Sequence, residues 1–126
     1  MTDRTDIPLG FTYDAQGKEL TYRNSGGCWR EYTRDAQGNE LTYRNNGGYW
    51  REYTRDGQGR VLTYRNSAGF NGVRIADDGN HVLFHDAKQG LFIAGCQRLN
   101  RADALKHWSR EDARAKLFTA AILATA

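Results

Sequence analysis

A 21-residue string is written twice in succession, almost letter for letter. Asp14–Arg34 reads DAQGKELTYRNSGGCWREYTR and Asp35–Arg55 reads DAQGNELTYRNNGGYWREYTR, differing only at Lys18/Asn39, Ser25/Asn46 and Cys28/Tyr49. A third, more diverged copy runs from Asp56 to about Arg74, and Phe11-Thr12-Tyr13 is the vestige of a preceding one. Tandem repetition restricts the fold strongly, because each unit must bury its apolar surface against a neighbour of the same shape.

Each unit holds two strand-like runs, such as Trp29–Arg34 and Glu40–Arg44, rich in Tyr, Thr and Trp and bounded by Gly, Asn and Asp. The connector Asp35-Ala36-Gln37-Gly38 suits a type I turn closed by a left-handed glycine, and Asp-x-Gln-Gly recurs from Asp14 and Asp56. Asn45-Asn46-Gly47-Gly48 is a second turn. Residues 11–70 are therefore predicted to form an antiparallel β-meander of hairpin repeats. With Gly38 as the bulge, Arg34 pairs with Glu40, Thr33 with Leu41, Tyr32 with Thr42, Glu31 with Tyr43 and Arg30 with Arg44. Strand alternation then puts Trp29, Glu31, Thr33, Leu41 and Tyr43 on a core face. Arg30, Tyr32, Arg34, Glu40, Thr42 and Arg44 fall on a wet one.

The strand–Asp-x-x-Gly–strand pattern, as in Tyr53-Thr54-Arg55-Asp56-Gly57-Gln58-Gly59-Arg60-Val61, resembles the YD repeats of Rhs-type toxins and teneurins over roughly half the chain. Three units are too few for the shell that long YD arrays build, so encapsulation of a toxin is not implied. The string is also similar to the tandem repeats of small bacteriophage and prophage proteins. That resemblance implies an inhibitor of a bacterial defence system, of the anti-CRISPR kind, acting by binding a host effector.

The 126 residues have material for a single domain, with repeats over 11–70 and a different segment over 71–126. Fifteen aromatic residues (3 Trp, 7 Tyr, 5 Phe) argue against disorder, although only 39% of the chain is hydrophobic. The core is expected to be thin and aromatic. A net charge of +3 leans weakly towards acidic partners. No apolar run approaches the ~18–20 residues of a membrane span. The first residues lack an apolar leader, and two cysteines cannot frame a disulfide scaffold, so a cytoplasmic protein is expected; the resemblance to phage proteins implies that the cytoplasm is that of the host cell.

Beyond Phe70 the pattern changes. Gly72–Ala76, His81–His85 and Leu91–Ala94 read as strands separated by turn residues. Asn100 is placed to cap a helix to Trp108, and Ser109 a longer one with Asp112 three residues on. In that second helix Ala113, Leu117, Ala120 and Ala124 form a stripe, with Phe118, Ala121 and Ile122 beside it. Helices on a sheet give an α+β class, docked on the Trp/Leu/Tyr face or on the sheet's C-terminal third.

No catalytic residue, metal or cofactor is predicted. His81, His85, Cys96 and His107 lack the CxxC or HxxxH spacing of a zinc site, and a Cys96–His107 nucleophilic pair has no orienting acid. Ser25-Gly26-Gly27 lacks the Lys-Ser/Thr of a phosphate loop. Cys28 stands where Tyr49 and Phe70 stand in its sister repeats and reads as packing, as do Trp29, Trp50 and Trp108.

The arginines point to binding. The predicted register sets Arg30 against Arg44 and Arg51 against Arg65, and like charges across a sheet repel. Arg30, Tyr32, Arg34, Arg44, Arg51, Tyr53, Arg55 and Arg65 are thus the candidate partner-binding residues, with Glu19 and Glu40 as the charges that would balance a merely solvated face. The expected partner is a host protein or ribonucleoprotein with an acidic surface. The alternatives are single-stranded nucleic acid and self-association through a sheet edge.

Overall fold

The computed structural model describes residues 4–95 and 97–125. Among them lie ten strands followed by two helices: β1 (Gly10–Tyr13), β2 (Glu19–Arg23), β3 (Trp29–Arg34), β4 (Glu40–Asn45), β5 (Trp50–Arg55), β6 (Val61–Asn66), β7 (Asn71–Asp77), β8 (Val82–Asp86), β9 (Leu91–Ala94), β10 (Gln97–Asn100), α1 (Arg101–His107) and α2 (Ala113–Ala124). Strand order is chain order, an antiparallel meander, and with the helices it makes the class α+β. The chain divides into two compact units, Met1–Arg60 with Arg65–Gly69, and Val61–Tyr64 with Phe70–Ala126.

In the first unit the turns are built by the residues that repeat. Asp35 accepts from the Gln37 and Asn39 amides at 3.0 and 2.9 Å, and Gly38 N donates to Asp35 O at 3.0 Å. Gly38 has φ +85°, a backbone that a Cβ would strain. Asp14 and Asp56 organise their loops in the same way. At the opposite ends, Asn24 and Asn45 each accept from the amides two and four residues on.

The register differs from the one predicted. Arg34 faces Glu40 as expected, but Leu41 is the bulged residue, so Thr33 faces Thr42, Tyr32 faces Tyr43, Glu31 faces Arg44 and Arg30 faces Asn45. The same irregularity occurs at Leu20, where Thr12 faces Thr21 and Tyr13 faces Glu19. A slip of one residue moves every later side chain of β4 to the other face. Tyr43 therefore joins Tyr32 and Arg30, while Thr42 and Arg44 join Trp29, Glu31 and Thr33. Two contacts fit this pairing: the Thr33–Thr42 hydroxyl bond at 2.7 Å and the Tyr32–Tyr43 ring contact at 4.9 Å.

In the second unit β7, β8 and β9 carry apolar residues on both faces. Leu83, Phe92 and Ala94 pack with Ala104, Trp108, Ala115, Phe118 and Ile122 of the helical segment. On the reverse, Phe70, Phe84 and Ile93 gather Val61 and Tyr64. The helices thus lie on the sheet's C-terminal strands, one of the two predicted positions. Asn100 caps α1 as expected, accepting from Asp103 N at 2.8 Å. Asp112 rather than Ser109 caps α2, because the Ser109 hydroxyl is turned back onto Lys106 O at 2.8 Å. The inward stripe of α2 is Ala115, Phe118 and Ile122, and Leu117, predicted to face the sheet, is exposed. Strand β10 was not predicted, and β8 begins at Val82, leaving His81 in the preceding turn.

Candidate functional site

Six of the eight predicted binding residues share one face of the first unit, and their charges are already met. Arg30 reaches across to Glu19 with two bonds, Nε at 2.6 Å and Nη2 at 3.0 Å, and lies 4.8 Å over the Tyr22 ring. Twenty-one residues on, Arg51 holds Glu40 at 2.7 and 2.9 Å and lies 4.6 Å over Tyr43. Arg34 donates to the carbonyls of Glu19 and Gly38, and Arg55 to those of Glu40 and Gly59. Each is also stacked on the tyrosine two residues before it, Tyr32 or Tyr53. Burial raises the pKa of both phenols above the ordinary value. The hydrogen bonds to Glu40, first among the causes, raise that of the Arg51 guanidinium. These residues form an internal ladder of bidentate ion pairs and stacked rings.

The expected opposition of Arg30 to Arg44 is absent, since the bulge at Leu41 sets Arg44 against Glu31. Arg65 likewise pairs with Glu52 at 2.8 Å, on the other face, and lies 5.6 Å over Trp50. Among the described strand pairings, then, neither arginine that was expected to face another arginine does so. The balancing role of Glu19 and Glu40 is what the geometry contains.

Arg44 is the exception. It stands at the same repeat position as Arg23 and Arg65. Arg23 donates to Ile7 O at 2.6 Å and Arg65 to Glu52, whereas the exposed Arg44 guanidinium has no hydrogen bond, ion pair or ring contact among the described residues. Its counterpart by position is Glu31, but Arg4 has taken that carboxylate at 3.0 and 3.3 Å and lies 4.8 Å over Trp29. Around Arg44 opens a groove of about 420 Å³, walled by Trp29 and Trp50 and bordered by Thr42, Asn46 and Glu52. Register explains the walls: Arg44 directly faces Trp50, and Trp29 lies two residues from its other neighbour, Glu31. Sequence reasoning included Arg44 but placed it on the wrong face, and so did not connect it with the tryptophans.

The remaining candidates fall apart. Trp29 and Trp108 are buried as expected and Trp50 is half-buried. Cys28 is exposed, not packed: it precedes β3 and belongs to the turn in which its amide donates to Asn24 Oδ1. His85 stacks on Phe92 at 4.5 Å. Cys96 lies outside the described residues, and with it the Cys96–His107 pair. Among the described residues no three His, Cys, Asp or Glu side chains gather as a metal site, and no helix is long and apolar enough to cross a membrane. Among the described residues Asp86 is the buried carboxylate. Desolvation works to raise its pKa, but bonds from the Asn71, Lys88 and Gln89 amides outweigh it and hold the group below the usual value.

No protein-family model matches the chain, and no curated protein matches it.

Proposed function

We propose that the chain is a non-enzymatic protein-binding module, built from 21-residue hairpin units, that receives an acidic surface of its partner on the sheet of the first unit. The observation that carries this reading is the unanswered charge of Arg44 in a tryptophan-walled groove, in a unit whose other sheet arginines are satisfied internally. An exposed guanidinium flanked by indoles offers directional donors and apolar contact together, the combination enriched in interface hot spots. The likeness of the repeat to small phage and prophage proteins supplies the setting. In this reading the partner is a host defence effector, in the cytoplasm of the host, and the module inhibits it by occupying a surface.

Direct binding of single-stranded nucleic acid is the weaker alternative. Such grooves follow the backbone with a row of available cations, and here Arg30, Arg34, Arg51 and Arg55 are committed to Glu19, Glu40 and carbonyl oxygens. A second reading, self-association by strand addition at β1, draws on the exposure of Leu9, Phe11 and Tyr13. Affinity capture from a host lysate with the parent and with Arg44→Ala tests the main proposal. Loss of one specific partner in the variant, with no change in elution volume, supports it. Identical capture by both proteins refutes the assignment of the face.

A further inference from the structure

We propose that the groove between Trp29 and Trp50 is a carboxylate-binding site for an acidic peptide segment, with Arg44 as the charged donor and the Asn46 side-chain amide as the second. The inference rests on the reading of the chain as a binding module and names the chemistry its site takes.

Asn46 lines the groove, and its Oδ1 accepts from Trp29 N at 3.2 Å. That fixes the amide so that Nδ2 is free to donate, and it has no acceptor among the described residues. Two donors therefore open onto one space without an answering acceptor. An ionised carboxylate accepts from both and matches the planar fork of Arg44. The indoles supply apolar walls that exclude water from the pair and strengthen it. Glu52 also borders the groove, its Oε2 held by Arg65 at 2.8 and 3.1 Å. One available cation beside a resident carboxylate suits a single acidic side chain. It opposes a polyphosphate chain, whose successive charges would meet Glu52.

The site depends on Arg4. In the next repeat the same positions are occupied by Arg65 and Glu52, and they pair. Arg44 and Glu31 face one another and would pair likewise, were Glu31 not already held by Arg4. Arg4 is thus a positioning residue: by engaging Glu31 it leaves Arg44 to a ligand. Removing it releases an intramolecular carboxylate that competes with the peptide.

Titration of the full chain with a blocked Gly-Gly-Glu-Gly-Gly peptide, followed by NMR of the indole and arginine side-chain N–H signals, tests this. A saturable shift at Trp29, Trp50 and Arg44 is expected, absent with the Gln analogue. Arg44→Ala should weaken it about tenfold or more. Arg4→Ala should weaken it too, and Arg4→Ala with Glu31→Gln should restore it, which loss of packing alone would not do. Equal shifts in the Arg44→Ala protein, or no rescue in the double variant, overturn the proposal. So does a response to oligo-dT or inorganic phosphate but not to the Glu peptide, or indole shifts on simple concentration, which would give the groove to a second copy of the chain. A silent Glu peptide together with Arg44-dependent partner capture would reject the carboxylate chemistry and leave the binding module standing. Capture independent of Arg44 would reject the module's site itself.

Discussion

Arg51 and Arg44 occupy opposite faces of neighbouring strands, and replacing each with alanine separates what holds the sheet from what it offers a partner. Arg51→Ala removes two charge-assisted bonds to Glu40, a pair whose side chains are only 29% and 17% exposed. A hydrogen bond to a charged group contributes about 1.5–3 kcal/mol net. Partial exposure brings the pair towards the ~1 kcal/mol of a surface bridge. Loss of the stack on Tyr43 adds about 0.5–1 kcal/mol, so the variant should lose about 2 kcal/mol. For a chain of this size that lowers Tm by roughly 6–8 °C. Arg44→Ala breaks no described contact and should stay within about 0.5 kcal/mol of the parent. Differential scanning fluorimetry and urea titration on both variants read the contrast. Equal destabilisation by the two substitutions would refute the division between internal ladder and open site.

Other outcomes follow from the second unit. Phe118→Ala empties a fully buried ring position between α2 and the sheet and should cost about 3–5 kcal/mol in chemical denaturation. Gly72→Ala would set a methyl 2.5 Å from the buried Phe70 ring, so urea melts should show a loss of about 1–3 kcal/mol from overpacking. Asp86 has a depressed pKa in the folded state. Its contribution is therefore present above the ordinary carboxylate value of about 4 and fades as pH falls through the lower folded value. Asp86→Asn should destabilise the protein at neutral pH and flatten the loss of stability on acidification, as measured by melts from pH 6 downwards.

The features of the fold that are legible in the sequence are those whose information is local. The Asp-x-Gln-Gly turns were legible because one aspartate and one left-handed glycine specify them within four residues. The register was not, because the extra residue of each hairpin can be absorbed at Gly38 or at Leu41, and the choice is made by partners nine to eleven residues away. The Thr33–Thr42 hydroxyl pair and the Tyr32–Tyr43 rings meet only in the second arrangement. The face on which Arg44 lies is set by that choice. Similarly, Ser109 and Asp112 are both good caps, and the last carbonyls of α1 claim Ser109. The part played by Arg4 was out of reach, since the contact from Arg4 to Glu31 spans 27 positions and lies outside the repeat.

That contact has a bearing on valency. If the array were lengthened by another copy of Asp35–Arg55, a new pair of tryptophans and a new arginine between them would follow automatically. The added arginine would find its facing glutamate unoccupied, however, and would close upon it as Arg65 does on Glu52. Among the described residues, only the repeat next to Arg4 keeps its guanidinium available. On the proposed reading, the number of receptive grooves would stay at one whatever the number of repeats, and lengthening the protein would extend its reach without making it multivalent.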